Sequence, residues 1–384
     1  MSKKKIGILT GGGDVQPLNA LLNSVCRSAS KHDIDVLGFI GGWQGILNKE
    51  YVYLNNISIN PLIGGTILKS SRVNLSKVAN ALQKVREVLS SLGVEALIVI
   101  GGEDTLSNSF SIKDFPQILI SKTIDNDVGI VNKNEITNYF TIGHPTAAEK
   151  ISSFVSLNEG LRTTAYSHER IIVVESMGMH AGWLALSSSM GHPDFIIIPE
   201  FPLDYNLFVE KVKNKFLEQK HLIIVIAEGA RWANGKYISA DENEKDSFGH
   251  PRFIGSAALL AQKLKYDLKP YFDTRNVNSV NPSYLYRSGK PNELDLSASK
   301  ILGQKAIALI NKKIDSPIFL TTNFRKNELC AVPLPLTEID NIEHLHRFVT
   351  AQYYDAFQLN VTVEGRNFFS KIVREFPKIN YKLV

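Results

Sequence analysis

The chain has 384 residues, which at roughly 100–200 residues per domain predicts two or three domains with cores large enough to need no staple. With 44 % hydrophobic and 21 % charged residues and a formal net charge of +5, the composition is that of an ordinary globular enzyme; the mild basic excess suits a small anionic substrate and does not demand nucleic acid. Two distant cysteines, Cys26 and Cys330, exclude a disulfide scaffold or a cysteine zinc site, no apolar run nears the ~18 residues of a membrane helix, and the apolar part of Met1–Thr10 is too short for a signal peptide, so a cytoplasmic location is expected.

Short apolar runs punctuate the chain at Ile6–Leu9, Val36–Ile40, Ala96–Ile100, Ile118–Ile120, Ile171–Val174, Phe195–Ile198 and Leu222–Ile226. They are nearly continuous rather than alternating, as strands buried on both faces of a parallel sheet are. Between them, Val78, Leu82, Val85 and Leu89 recur at helical spacing over Ser76–Leu92, with Gly93 as a stop. Phe208, Val212 and Phe216 do the same over Leu207–Lys220, and Glu343–Gln358 reads as a further helix. Alternating strands and helices predict an α/β fold. In such folds ligands sit beyond the carboxyl ends of the strands, so the residues after each run are where chemistry is expected.

The first run leads into Gly11-Gly12-Gly13-Asp14-Val15-Gln16-Pro17-Leu18-Asn19. Consecutive glycines admit an anion to backbone N–H groups, and a helix N-terminus adds partial positive charge. The pattern is neither a dinucleotide fingerprint nor a Walker A loop, and a plain tight turn explains it equally well. After the third run comes Gly101-Gly102-Glu103-Asp104-Thr105, oxygen groups of the kind Mg²⁺ accepts, or else the acidic first turn of a solvated helix. The fourth run ends in Ser121-Lys122-Thr123-Ile124-Asp125-Asn126-Asp127. Phosphoryl transfer to an alcohol needs a carboxylate to take the hydroxyl proton and cations for the moving charge, and this loop holds both; the bland alternative is an Asx turn. Glu175–His180 and Glu228–Arg231 follow later runs, where a carboxylate such as Glu228 suits sugar hydroxyls.

In this order, from about Ile6 to about Ile307, these segments resemble the phosphofructokinase family. The resemblance rests on Gly12, Gly13, Asp14 and Asn19, on Gly64–Arg72, on the specific string Lys122–Asp127, on Ser167, His168 and Arg170, on Met177–Trp183, and on Pro282–Ser288. It implies two α/β domains with mostly parallel sheets flanked by helices and an active site between them. Residues 1–138, with about 288–335 returning, would bind the phosphate donor; 139–287 would bind the sugar phosphate; 336–384 would be a C-terminal helical extension. Asp125 would take the proton from the 1-hydroxyl of fructose 6-phosphate, supported by Asp127, with Thr123 at the transferring phosphoryl group. Glu103 would be linked to Mg²⁺, Gly12 and Arg72 would face the donor phosphates beside Asp104 and Thr105, and Met177, Gly178 and Glu228 would line the sugar site. Arg170 and Arg275 would bind the sugar phosphate from a neighbouring subunit and Arg287 from the same one, making a homo-oligomer part of the mechanism, with no nucleic acid or membrane partner. Asp104 and Lys122 stand where glycines go with ATP, which implies pyrophosphate as donor: Asp104 would fill space the nucleotide's inner phosphate needs, and Lys122 would add a charge for pyrophosphate.

The chain departs from the family at several points. Gln16-Pro17 replaces Pro-Gly, Met179 replaces an arginine, Gly143-His144-Pro145-Thr146-Ala147 lacks the usual Asp, Tyr284 stands for the sugar-binding His, and Lys69 replaces a glycine. A regulatory subunit without catalysis, or a phosphotransferase for another sugar phosphate, therefore remains an alternative. The complete Lys122–Asp127 string argues for retained chemistry.

Overall fold

The computed structural model describes residues 3–71, 73–129, 131–132, 135–136, 138–245, 251–253, 255–336 and 345–378. The chain divides into two compact units, one of residues 1–146 and 287–347, the other of 147–286 and 348–384.

The chain enters the first unit through β1 (Lys4–Thr10), α1 (Leu18–Ser30), β2 (Ile34–Phe39), α2 (Trp43–Asn48), β3 (Tyr51–Tyr53), α3 (Ala81–Leu92), β4 (Val94–Gly101), α4 (Glu103–Phe110) and β5 (Gln117–Thr123). The short strands β6 (Val131–Asn132), β7 (Glu135–Ile136) and β8 (Ile142–Gly143) lead to α5 (His144–Val155), which carries the chain across the boundary. The second unit continues with α6 (Arg162–Ser167), β9 (Ile171–Ser176), α7 (Trp183–Ser187), β10 (Phe195–Ile197), α8 (Tyr205–Gln219), β11 (Leu222–Ala227), β12 (Ala240–Lys245), β13 (Pro251–Phe253), α9 (Ser256–Asp267) and β14 (Val277–Val280). The chain returns to the first unit with α10 (Glu293–Asn311), β15 (Ile318–Arg325) and β16 (Glu328–Pro335), and ends in the second with β17 (Tyr354–Asp355), β18 (Asn360–Val361) and α11 (Val363–Phe369).

The sheet of the first unit runs β16-β15-β5-β4-β1-β2-β3, with β8 beside β5. Its central strands are parallel, and antiparallel β3 and β16 close the two edges. The sheet of the second unit, β10-β11-β9-β14, is parallel throughout. All seven apolar runs are strands, and their side chains are buried because helices cover both faces. Phe208, Val212 and Phe216 form the buried stripe of α8.

Two helix expectations are corrected. The first helix starts at Ala81, not Ser76: Asn80 takes a left-handed conformation that breaks the helical path, and Val78 is left 42 % exposed. The stop at Gly93 holds, with φ +67°. The helix over Glu343–Gln358 does not form in its described part. Leu345–Arg347 instead hydrogen-bonds along another loop, and a turn at 351–353 leads into β17. Tertiary hydrogen bonds outweigh the weak helical propensity of a segment this short. The C-terminal residues contain one helix, α11, among those described, and they divide between the two units rather than forming an extension of their own. Among the described residues no helix is long and apolar enough to cross a membrane.

Candidate active site

In the first sheet β1 lies between β2, the next strand in the chain, and β4, which comes only after β3. Ligands of open α/β sheets gather beyond the strand ends at such a reversal of order. Gly11–Gly13 leaves β1 there and Gly102–Thr105 leaves β4, with Gly11 N–H donating to the Ile100 carbonyl at 2.9 Å. A Cβ on Gly11 would lie 2.4 Å from Thr105 Oγ1, and one on Gly101 2.3 Å from Thr105 Cβ, so both glycines are needed to seat the threonine. Gly12 has φ +78° and passes close to Lys122 and Thr105.

A second loop braces the glycines. Gly65 N–H donates to Val15 O at 3.2 Å, Asn19 N–H to Gly65 O at 2.9 Å, and Ser70 Oγ to Gly12 O at 2.7 Å. Lys69 in this loop has φ +59°, a conformation glycine adopts freely and lysine at a cost of roughly 1–2 kcal/mol. Gln16 is buried and donates to Ser288 O at 3.2 Å. Arg287 donates from Nη1 to Asp14 O at 3.3 Å and rests against Gly13, which places it on the glycine loop. Arg72 lies outside the described residues.

Lys122, 1 % exposed, reaches from β5 to this loop and donates to the carbonyl of Gly13. Burial pulls its ammonium down to about 7, the Arg287 charge adds to that, and Asp14, Asp125 and Asp127 oppose it. Beyond Lys122 the chain turns. Asp125 N–H donates to Thr123 Oγ1 at 3.1 Å, and Asn126 adopts φ +56°, which asparagine tolerates better than most residues. Asn126 Oδ1 accepts from Thr141 N–H at 2.9 Å, and His144 Nδ1 donates to Ile124 O at 2.8 Å. Burial, with a smaller push from the Arg347 charge, keeps the His144 ring neutral, its pKa lowered to about 3 although the Ile124 carbonyl favours the proton.

The turn presents two carboxylates. Burial raises Asp127 to about 7, helped by the charge of Asp125 and then by Glu103, while His346 pulls the other way. Asp127 Oδ1 is buried and accepts no hydrogen bond among the described residues. Glu103, the first residue of α4, meets His346 Nε2 at 2.9 Å. Among the described residues no three acidic, His or Cys groups converge into a metal cage. Mg²⁺ rarely asks for one: it keeps waters and substrate phosphates and takes one or two carboxylates. A buried acceptor oxygen on Asp127, close enough to Glu103 to feel its charge, fits that donor set.

In the second unit Met177, Gly178 and Glu228 come together at the carboxyl ends of β9 and β11. Glu228 N–H donates to Ser176 O at 2.8 Å, and Glu228 Oε1 accepts from Gly178 N–H at 3.2 Å. Gly178 has φ +127°, and a Cβ on Gly229 would stand 1.9 Å from Met179 O. Buried Glu175 fastens the same end, accepting from Ala257 N–H at 2.9 Å and Asn281 Nδ2 at 2.7 Å. Arg170 and Arg275 lie elsewhere, just before β9 and β14, at the opposite end of this sheet. Arg170 donates to Thr164 Oγ1, and Arg275, 88 % exposed in its side chain, pairs with Asp273 at 2.7 Å. Tyr284 is 75 % exposed.

The phosphofructokinase family matches residues 5–310, more than half of the chain. The chain belongs to the phosphofructokinase family. It is 37 % identical over 344 residues to a pyrophosphate–fructose 6-phosphate 1-phosphotransferase of Dictyoglomus thermophilum, covering 88 % of this chain and 94 % of that one. It is 36 % identical over 299 residues to an ATP-dependent 6-phosphofructokinase of Mycobacterium bovis, covering 76 % and 82 %. A crystal structure of a pyrophosphate-dependent phosphofructokinase from Marinobacter aquaeolei has the same fold, with a TM-score of 0.80 at 19 % identity over 98 % of this chain and 94 % of that one.

Within this phosphofructokinase fold, four residues that support the Asp125–Asp127 turn drew no functional reading in the sequence: Asn138, His144, His346 and Arg347. None belongs to a strand-end motif, and two lie past the family match. The one available hint was His144, a departure from the family pattern in an otherwise apolar stretch.

Proposed function

We propose that this phosphofructokinase moves a phosphoryl group from pyrophosphate to the 1-hydroxyl of fructose 6-phosphate. The observation that carries the reading is the burial of a cation, Lys122, beside the paired carboxylates Asp125 and Asp127 at one strand end. Asp125 takes the hydroxyl proton as the sugar oxygen bonds to the terminal phosphorus and the bridging P–O bond breaks. Before a cation arrives, Asp127, its carboxylate discouraged from ionising, leaves the negative charge of the pair on Asp125, and Mg²⁺ at the site would favour the ionised form that holds it. Lys122 regains its proton's stability when an anion arrives and neutralises the departing phosphate. Gly12 and Thr105 offer donors to the donor phosphates, and Thr123 contacts the phosphoryl group in transit. Asp127 and Glu103 would hold Mg²⁺, which when bound offsets the charge of the phosphates.

Pyrophosphate is favoured over ATP by Asp104 and Lys122 where smaller residues would admit a nucleotide. Residues of the second unit, Met177, Gly178 and Glu228, take the sugar. Arg170 and Arg275, at the far end of that sheet, serve the sugar phosphate of a neighbouring subunit in a homo-oligomer, and Arg287 completes the phosphate contacts of its own subunit. Such an enzyme works in glycolysis in the cytoplasm. The test is a coupled assay of purified protein with Mg²⁺, fructose 6-phosphate and either donor. Turnover with pyrophosphate exceeding that with ATP is expected; silence with both donors, and on related sugar phosphates, would instead identify a binding subunit.

A further inference from the structure

Residues 345–347 lie beyond the part of the chain that the family matches, yet they run alongside the base turn. Gly129 N–H donates to Leu345 O at 2.7 Å, His346 bridges Val128 in antiparallel fashion, and Arg347 N–H donates to Asp127 O at 2.8 Å. The Arg347 side chain is 1 % exposed. Its Nε donates to Asn126 O at 3.1 Å, and its Nη1 to Tyr139 O at 3.2 Å and to Asn138 O. Asn138 in turn donates to Val128 O at 2.9 Å. One planar guanidinium therefore ties the turn that carries both carboxylates to the segment behind it.

We propose that Arg347 is a positioning residue: it fixes the backbone of Asn126 and Asp127 so that the Asp125 and Asp127 carboxylates keep the spacing phosphoryl transfer needs. The turn has a reason to need holding. Asn126 sits in the left-handed region, and residues in such conformations persist where their surroundings over-determine them. An arginine is suited to it because its rigid fork meets several carbonyls at once, whereas lysine brings the charge without the fork. Burying a guanidinium costs desolvation, which the carbonyls of Asn126, Asn138 and Tyr139 offset while fixing its place against the turn.

This inference rests on the phosphotransferase reading, and its test separates the two. Arg347→Lys and Arg347→Ala are assayed with the donor the wild type uses. A loss of kcat of about 10–100-fold, with both KM values near wild type, is expected from a small displacement of the base. Added guanidinium should restore part of the kcat of Arg347→Ala and none of it in Arg347→Lys. Hydrogen exchange over residues 125–129 is followed in parallel, where Arg347→Lys should exchange faster than wild type. A folded Arg347→Lys with wild-type kcat, a loss carried wholly by KM, or unchanged exchange over the turn overturns the proposal. If the wild type itself turns over nothing, the phosphotransferase reading falls, and the exchange comparison still decides whether Arg347 holds the turn.

Discussion

The ammonium of Lys122 hydrogen-bonds the carbonyl oxygen of Gly13, joining the end of β5 to the glycine loop after β1. This places a cation where donor phosphates are proposed to lie, at the expense of burying it. With its pKa lowered to about 7 by burial, Lys122 is penalised in full below that pH, and the penalty fades as pH rises towards the unfolded value of 10.5. Relative to wild type, Lys122→Met should therefore have its most favourable Tm below pH 7 and lose ground between pH 7 and 10. A Tm difference flat across that range would refute the burial cost. In assays the same variant should lose on the order of 10²-fold or more in kcat/KM for pyrophosphate.

Asp125 is the residue proposed to take the hydroxyl proton. Replacing it by Asn keeps the shape of the turn and removes the base, so kcat should fall by roughly 10²–10⁴-fold while KM for fructose 6-phosphate stays close to wild type. Steady-state kinetics on the folded variant decide this, and undiminished kcat would place the base elsewhere.

Asp127 titrates the other way from a surface acid. Its folded pKa, raised to about 7 by burial and by Asp125, exceeds the unfolded value of 3.8, so the folded state loses stability as pH rises from about 4 to 7. Asp127→Asn should then gain in Tm over wild type across that interval and hold the gain above pH 7. Thermal melts without Mg²⁺ at pH 4.5 and 8 measure it; equal differences at both would be inconsistent with the raised pKa.

At the proposed sugar site, Gly229→Ala is informative because its Cβ would stand 1.9 Å from the Met179 carbonyl. The loop must move, at a cost of about 1–3 kcal/mol. Since Met177, Gly178 and Glu228 share that loop pair, KM for fructose 6-phosphate should rise at least several-fold while the donor KM changes little. A Tm drop with an unaltered sugar KM would separate this loop from sugar binding.

The strands were legible from the chain alone because a strand buried on both faces must be apolar throughout, and seven such runs stood out. The glycine loop and the Lys122–Asp127 string were legible because chemistry at a strand end needs particular residue types at short spacing. The starts of helices were less so: an asparagine at 80 permits a left-handed turn but does not require one, and the apolar spacing ran through it. The segment at 345–347 was misread as helical because its partner, the turn at 126–129, is more than two hundred residues away in sequence.

What the amino-acid order settled by itself, then, was the α/β class and the family, since strand patterning and short motifs both depend on neighbours along the chain. The fold alone decided which residues meet. Arg287 rests on the glycine loop, Arg170 and Arg275 sit at the far end of their sheet from Glu228, and a buried arginine from the last part of the first unit hydrogen-bonds the Asp125–Asp127 turn. Those relations arise from burial and hydrogen bonds between distant segments, and such terms have no local signature to read.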